Sequence, residues 1–338
     1  MSSRALSTLA ALGIGLAVLG VRSQAQTAAP AGGKSPTRST AAHPRTAWGD
    51  PDLQGIWTNT TTTTLERPDD LAGKPVLTDE EWKKRDSETA ARVSFDRAPT
   101  GRGNPGAYNE FWMERGRLNN RTSLVIDPPD GKVPPLTDSA KKQIDAIAEA
   151  RRTHPADSYL DRSAYDRCIT RSLPGAMMPG FYNHNYQILQ APGYVAVVVE
   201  MIHDVRIIPL DGRPHLNDGL RLWLGDSRGR WEGDTLVVDT TNLNDKVFET
   251  RPAAINVIFG AGTNMHLVER FRRIDATTLD YQFTVDAPQV FTRPWTASTP
   301  MARIDGPIYE YACHEGNYAM PHILSGARSD EGAAAAKK

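Results

Sequence analysis

The sequence predicts a mainly β protein: an antiparallel meander closing as a barrel or a curled sandwich, with an N-terminal segment that carries two helices. Three observations point there. From Tyr186 onward apolar and polar residues alternate with period two, the pattern of strands with one buried face. The stretches between carry turn chemistry, among them Ala191-Pro192-Gly193, Asp211-Gly212, Glu232-Gly233-Asp234 and Asp275–Thr278. The chain is also rich in Gly (27) and Pro (24), while seven tryptophans and 39% hydrophobic residues supply a sizeable core.

Residues 1–25 read as a signal peptide. Arg4 supplies a positive start, Leu6 to Val21 is apolar, and Ser23-Gln24-Ala25 offers the small residues of a cleavage site after Ala25. The expected address is therefore periplasmic or secreted. Residues 26–47 are small and Pro-rich without periodicity, as in a disordered linker.

Residues 48–160 read as a helical and irregular segment packed on the β unit. The Trp48–Trp57 stretch alternates aromatics with turn formers, and Thr58–Thr64 is β-prone. Thr78-Asp79-Glu80-Glu81 is a capping box with Leu77 and Trp82 at the staple positions, so a helix runs from there to about Val93. Residues 97–120 are rich in Gly, Asn and Arg, and Thr122–Asp127 is a short strand ended by Pro128. A second helix opens near Thr137 and stops by His154-Pro155.

Residues 161–328 form the predicted antiparallel β domain, and 329–338 a flexible tail. Strands are expected at about 186–191, 194–203, 205–210, 219–225, 228–232, 235–241, 266–274, 279–286, 290–297 and 308–313. Short consecutive strands with tight turns close most easily as a barrel or a curled sandwich.

The formal net charge of −1 leaves no concentrated basic footprint, which argues against nucleic acid and, after signal cleavage, against a membrane as partner. A small-molecule ligand or substrate is the expected partner; nothing sets an oligomeric state. Only two cysteines occur, Cys168 and Cys313, and in an exported chain an even pair is expected to form a disulfide. That bond would bring the 309–318 stretch toward the segment leading to His184.

Three stretches carry candidate chemistry. In Tyr182-Asn183-His184-Asn185-Tyr186 a titratable base lies among amides and phenols, a kit for proton abstraction with stabilisation of an anion. In the 194–203 strand Glu200 falls within an apolar run, where a carboxylate needs an ion pair or a cavity; Arg206 and Arg221 are its candidate partners, and His203 shares the opposite face. In Cys313-His314-Glu315-Gly316-Asn317-Tyr318 a His/Glu pair follows a strand end. His184, His203, His314 and Glu200 are metal-ligand types, but none has the spacing of a zinc motif, so no cofactor is expected. Trp223, Trp231 and Trp295 are either stacking platforms or core.

Several phrases resemble a family of exported bacterial proteins: PDLQGIW at Pro51–Trp57, RTSLVIDPPDG at Arg121–Gly131, IIPLDGRPH at Ile207–His215, GDSRGRWEGD at Gly225–Asp234 and ACHEGNY at Ala312–Tyr318. The resemblance implies an exported, soluble, single-unit protein and no particular reaction. Met201-Ile202-His203 and His314–Tyr318 also resemble the Gln-Ile-His and Gly-x-Tyr-Asn motifs of jelly-roll alginate lyases, but the first lacks its glutamine.

The leading expectation is an exported enzyme with its site in a β cavity, a metal-independent lyase acting on a polyhydroxylated or aromatic small molecule. His184 or His314 would be the base, Tyr186 or Tyr182 the acid, and Glu200 a third catalytic group. Asn183, Arg206, His203, Glu315, Tyr318 and Trp223 would bind substrate. The alternatives are a non-catalytic, calycin-like binding protein and a metal-dependent hydrolase.

Overall fold

Period-two alternation drives eleven strands into one antiparallel sheet that curls into a nearly closed barrel. The structure is a computed structural model and describes residues 44–92, 111, 113, 114, 116, 118–247, 249–251, 257–260 and 262–336. The signal-peptide reading of residues 1–25 and most of the linker reading of 26–47 lie outside the described residues, as does most of the 97–120 stretch.

The strands are β1 (Gly55–Thr58), β2 (Val125–Asp127), β3 (Asn185–Ala191), β4 (Tyr194–Val199), β5 (Val205–Pro209), β6 (Asp226–Glu232), β7 (Thr235–Thr241), β8 (Glu249–Arg251), β9 (Val257–Gly260), β10 (His266–Arg273), β11 (Thr278–Asp286), β12 (Trp295–Ser298) and β13 (Met301–Arg303). The sheet runs β5-β4-β3-β1-β13-β11-β10-β7-β6, while β12 pairs with both β11 and β2, and β8 and β9 pair only with each other. Register is long and regular where tight turns set it: β10 and β11 pair from His266↔Asp286 to Arg273↔Leu279, and β3 and β4 from Tyr186↔Val199 to Ala191↔Tyr194.

Alternate residues point inward and fill the barrel. Trp57, Tyr186, Phe271, Tyr281 and Phe283 are fully buried there, with the Phe271 and Tyr281 rings 4.7 Å apart. β5 lies beside β6 without pairing to it. A Cβ on Gly229 of β6 would stand 2.5 Å from Leu210 Cδ2 and 2.8 Å from Ile208 Cγ2, so apolar packing closes the barrel where the ladder does not.

Helix α1 spans Asp79–Arg92 and α2 Asp138–Thr153. At the start of α1, Thr78 N donates to Glu81 Oε2 (2.9 Å) and Glu81 N to Thr78 Oγ1 (3.3 Å), both arms of a capping box. Thr137 caps α2 by accepting from Ala140 N, and its hydroxyl donates to Gln289 O at 2.6 Å, tying the helix to the barrel. Helix α3 (Ala319–Ala335) replaces most of the flexible tail expected at 329–338, because the Ala-rich end has high helix propensity. Arg328 also anchors it on the Ala156 and Asp157 carbonyls.

Four expected strands are corrected. The one at 290–297 shrinks to β12 at Trp295–Ser298, because Val290 N and Phe291 N both turn back onto Ala287 O and Phe291 makes only an isolated bridge to Leu136. The strand at 194–203 ends at Val199, and Met201–His203 is one 3-10 turn with Ile202 and His203 at φ 63° and 50°. Residues 219–225 form a loop, and 308–313 belong to an irregular strap after β13.

Candidate functional site

The strap from Ile304 to Tyr318 crosses the 200–204 turn and is stapled by the Cys168–Cys313 disulfide, whose Cα atoms are 5.8 Å apart. Tyr309 N donates to Glu200 Oε1 (3.1 Å), and His203 Nδ1 lies 2.9 Å from Tyr311 O. Segments 182–186, 200–204 and 309–313 thus meet. Their side chains, however, divide into buried and exposed sets.

His184 is buried, and Arg171 Nη1 lies 2.8 Å from its Nε2. A guanidinium only donates, so Nε2 is the accepting nitrogen of a neutral ring. Burial foremost, and then the Arg171 charge, holds the imidazole well below the ordinary value of 6.5. A Cβ on Gly180 would stand 1.8 Å from Nε2, so the backbone closes that edge of the ring too. Tyr186 lies inside the barrel, its hydroxyl donating to Ala176 O (3.2 Å), and burial pushes its ionisation above the usual tyrosine range. Neither group lines the cavity beside α2 or the one beside α1.

Glu200 is buried, but its partner is neither Arg206 nor Arg221. Asn185 Nδ2 donates to Glu200 Oε2 at 2.6 Å and reaches Glu114 Oε1 at 3.2 Å, so one amide bridges two carboxylates. Burial, and then the Glu200 charge, raises the Glu114 carboxyl above its ordinary value, against hydrogen bonds from Asn185 and the His184 and Asn183 backbone. Arg206 is committed elsewhere: inside the barrel it forms a two-pronged ion pair with Glu269, which also accepts from the Tyr281 hydroxyl at 2.8 Å. Arg221 donates to Thr263 O.

The other candidates lie nearer the surface. Tyr182 is half-buried against the core, and Asn183 is half-buried at φ 54°. His203, His314, Glu315 and Tyr318 are exposed, and Tyr318 sets its ring edge-on to His322. Among the described residues no three His, Cys, Asp or Glu side chains converge as metal ligands.

Trp223 leads to a different place. It forms part of the wall of a cavity of about 500 Å³ between α2, the Leu160–Ile169 segment and Lys246. Ile147, Leu160, Ala164, Ile169 and Trp223 give it apolar surface, while Arg151, Arg162, Arg167 and Lys246 face a single lining carboxylate, Asp161. Asp161 is itself engaged, accepting from Ser158 N at 2.6 Å in a capping box. Arg162 Nε is buried with no hydrogen-bond partner, and its nearest carboxylate, Asp166, is 3.9 Å away. The disulfide holds Cys168 between the lining residues Arg167 and Ile169, so it fixes one wall.

The 210–225 loop, which carries the lining residue Trp223, is pinned by a network that sequence reasoning missed. His215 Nδ1 lies 2.9 Å from Asp226 Oδ2 and its Nε2 3.0 Å from Asp239 Oδ1, while Asp239 Oδ2 lies 2.9 Å from His266 Nε2. The bond to Asp239 raises the His266 imidazole, and that same bond holds the Asp239 carboxyl below its ordinary value. Buried Asn242 adds three bonds, to the carbonyls of Leu216, Asn217 and Leu220. The signal for the cavity was present as five arginines between Arg151 and Arg171. The signal for the loop was absent, since its four members are spread from 215 to 266.

No protein-family model, no curated protein and no solved structure matches the chain.

Proposed function

We propose that this is an exported small-molecule-binding protein whose ligand is an anion with an apolar or aromatic body, held beside α2. One observation carries the reading: a cavity of about 500 Å³ that sets four cationic side chains against one acid around an apolar wall containing Trp223. That volume suits a small organic molecule. The excess of positive charge favours a phosphate or a dicarboxylate over a neutral sugar. Trp223 offers an aromatic face, and the arginines supply forked donors to oxygen. Export is supported by the pattern of residues 1–25 and by a disulfide suited to an oxidising compartment.

Calorimetric titration with phenyl phosphate, against benzyl alcohol as the neutral comparison, tests it. Phenyl phosphate should bind with an affinity that falls as salt rises, and Arg162→Gln should weaken it about tenfold or more, as expected for a charge-assisted bond worth about 1.5–3 kcal/mol. Equal binding of the two probes, or of wild type and the Gln variant, would refute the assignment.

A lyase-type proton transfer is the second reading, favoured by the raised Glu114 carboxyl beside Glu200. His203, on the turn that follows Glu200, is exposed. If it holds, unsaturated product formed from a confirmed substrate disappears in Glu114→Gln; unchanged turnover in that variant would remove it.

A further inference from the structure

A second cavity, of about 310 Å³, lies between α1, the Thr62–Thr64 stretch and the Leu118–Thr122 segment. It exists because α1 is held against that segment at two points: Leu77 N donates to Asn120 O (2.8 Å) and Trp82 Nε1 to Leu118 O (2.7 Å). Leu71, Leu77 and Leu118 make part of its wall apolar.

Two of its lining residues hold buried polar atoms with no hydrogen-bond partner, Arg121 Nη1 and Thr62 Oγ1. Burying a guanidinium donor without an acceptor is costly, so a fold that keeps one needs a reason. The other cation in the wall is answered: Arg85 reaches Asp70 Oδ2 with both Nη atoms at 3.0 Å. Among the described residues no carboxylate pairs with Arg121. One unpartnered guanidinium nitrogen on a half-buried arginine, one unpartnered hydroxyl and an apolar wall together describe a complement.

We propose that this cavity binds a small monocarboxylate with an apolar body. Its carboxylate takes hydrogen bonds from the Arg121 guanidinium and the Thr62 hydroxyl, and its body lies against Leu71, Leu77 and Leu118. The single charge separates this site from the one beside α2, and the two share no lining residue.

Benzoate is the probe, with benzamide and inorganic phosphate as comparisons, titrated into the whole protein by calorimetry. Benzoate should saturate one site, and neither comparison should compete for it. Arg121→Gln should lose at least tenfold in benzoate affinity and Thr62→Val about fivefold, as for lost charged and neutral hydrogen bonds. Arg162→Gln should leave benzoate binding unchanged. Arg121→Gln should also melt no lower than wild type without ligand, because among the described residues the Arg121 side chain makes no hydrogen bond whose loss would be felt; a merely structural arginine would lower it. The proposal is overturned if benzoate shows no saturable binding up to about 10 mM, or if Arg121→Gln binds it as wild type does. Should that variant not fold, unchanged affinity in Thr62→Val overturns it equally.

Discussion

Arg206 and Glu269 face each other inside the barrel, both fully buried, with Tyr281 on the same carboxylate. Such a pair is held by its partner more than by net gain, since desolvation offsets most of the attraction. Arg206→Met or Glu269→Leu alone should therefore cost about 3–5 kcal/mol, and the double replacement clearly less than the sum. Urea unfolding of the three variants measures this. From sequence Glu200 was the conspicuous acid because it interrupts an apolar run, while Glu269 hid among arginines in Glu269-Arg270-Phe271-Arg272-Arg273. Alternation alone places Glu269 inside with Leu267 and Phe271, so its burial was legible; its partner on β5, five strands earlier in the chain, was not.

His184 and His266 give opposite pH signs. The His184 imidazole is held low by burial and then by Arg171, so the unfolded chain takes up a proton first. Stability from that group is lost as pH falls below the ordinary value of 6.5. The His266 imidazole is raised by its bond to Asp239, so its contribution is present below 6.5 and is lost as pH rises through the raised value. Urea midpoints between about pH 5 and about pH 8 should show His184→Gln flattening the acid limb and His266→Gln the alkaline one. Loss of the same limb in both variants would contradict the assignment. A flanking sequence of two asparagines and two tyrosines made His184 look reactive; the guanidinium that occupies it comes from Arg171, which no local pattern linked to it.

At the scale of elements, period two located β3 to β7, β10 and β11 closely because each buries one face. It failed at Glu200–His203, where alternation continues but Ile202 and His203 adopt left-handed backbone and the chain turns. It also failed at 308–313, where Tyr309, Tyr311 and Cys313 alternate yet the segment is held by Glu200, His203 and the disulfide rather than by a ladder. Where β5 meets β6, closure rests on Ile208 and Leu210 filling the space over Gly229. Gly229→Val should overpack that line and cost about 1–3 kcal/mol, read as a lower urea midpoint with an unchanged slope. A neutral substitution would mean that the strands stand further apart.

Across the whole molecule, the disulfide joins residues 145 apart in sequence and so ties the strap to the wall of the larger cavity. Chain-entropy arguments give roughly 4–5 kcal/mol for a loop of that length. Cys313→Ser should lower the melting temperature, expose the strap to protease and weaken phenyl phosphate binding together, because Cys168 sits between two lining residues. No described helix is long and apolar enough to cross a membrane. A formal net charge of −1 conceals a local excess of arginine beside α2.

The proposed ligand site is the arginine-rich cavity beside α2. A crystal structure of the protein soaked with phenyl phosphate tests it most directly. Phosphate oxygens should lie within hydrogen-bond distance of Arg162, with the ring against Trp223. A phosphate bound elsewhere, with the cavity beside α2 filled only by water, would contradict it.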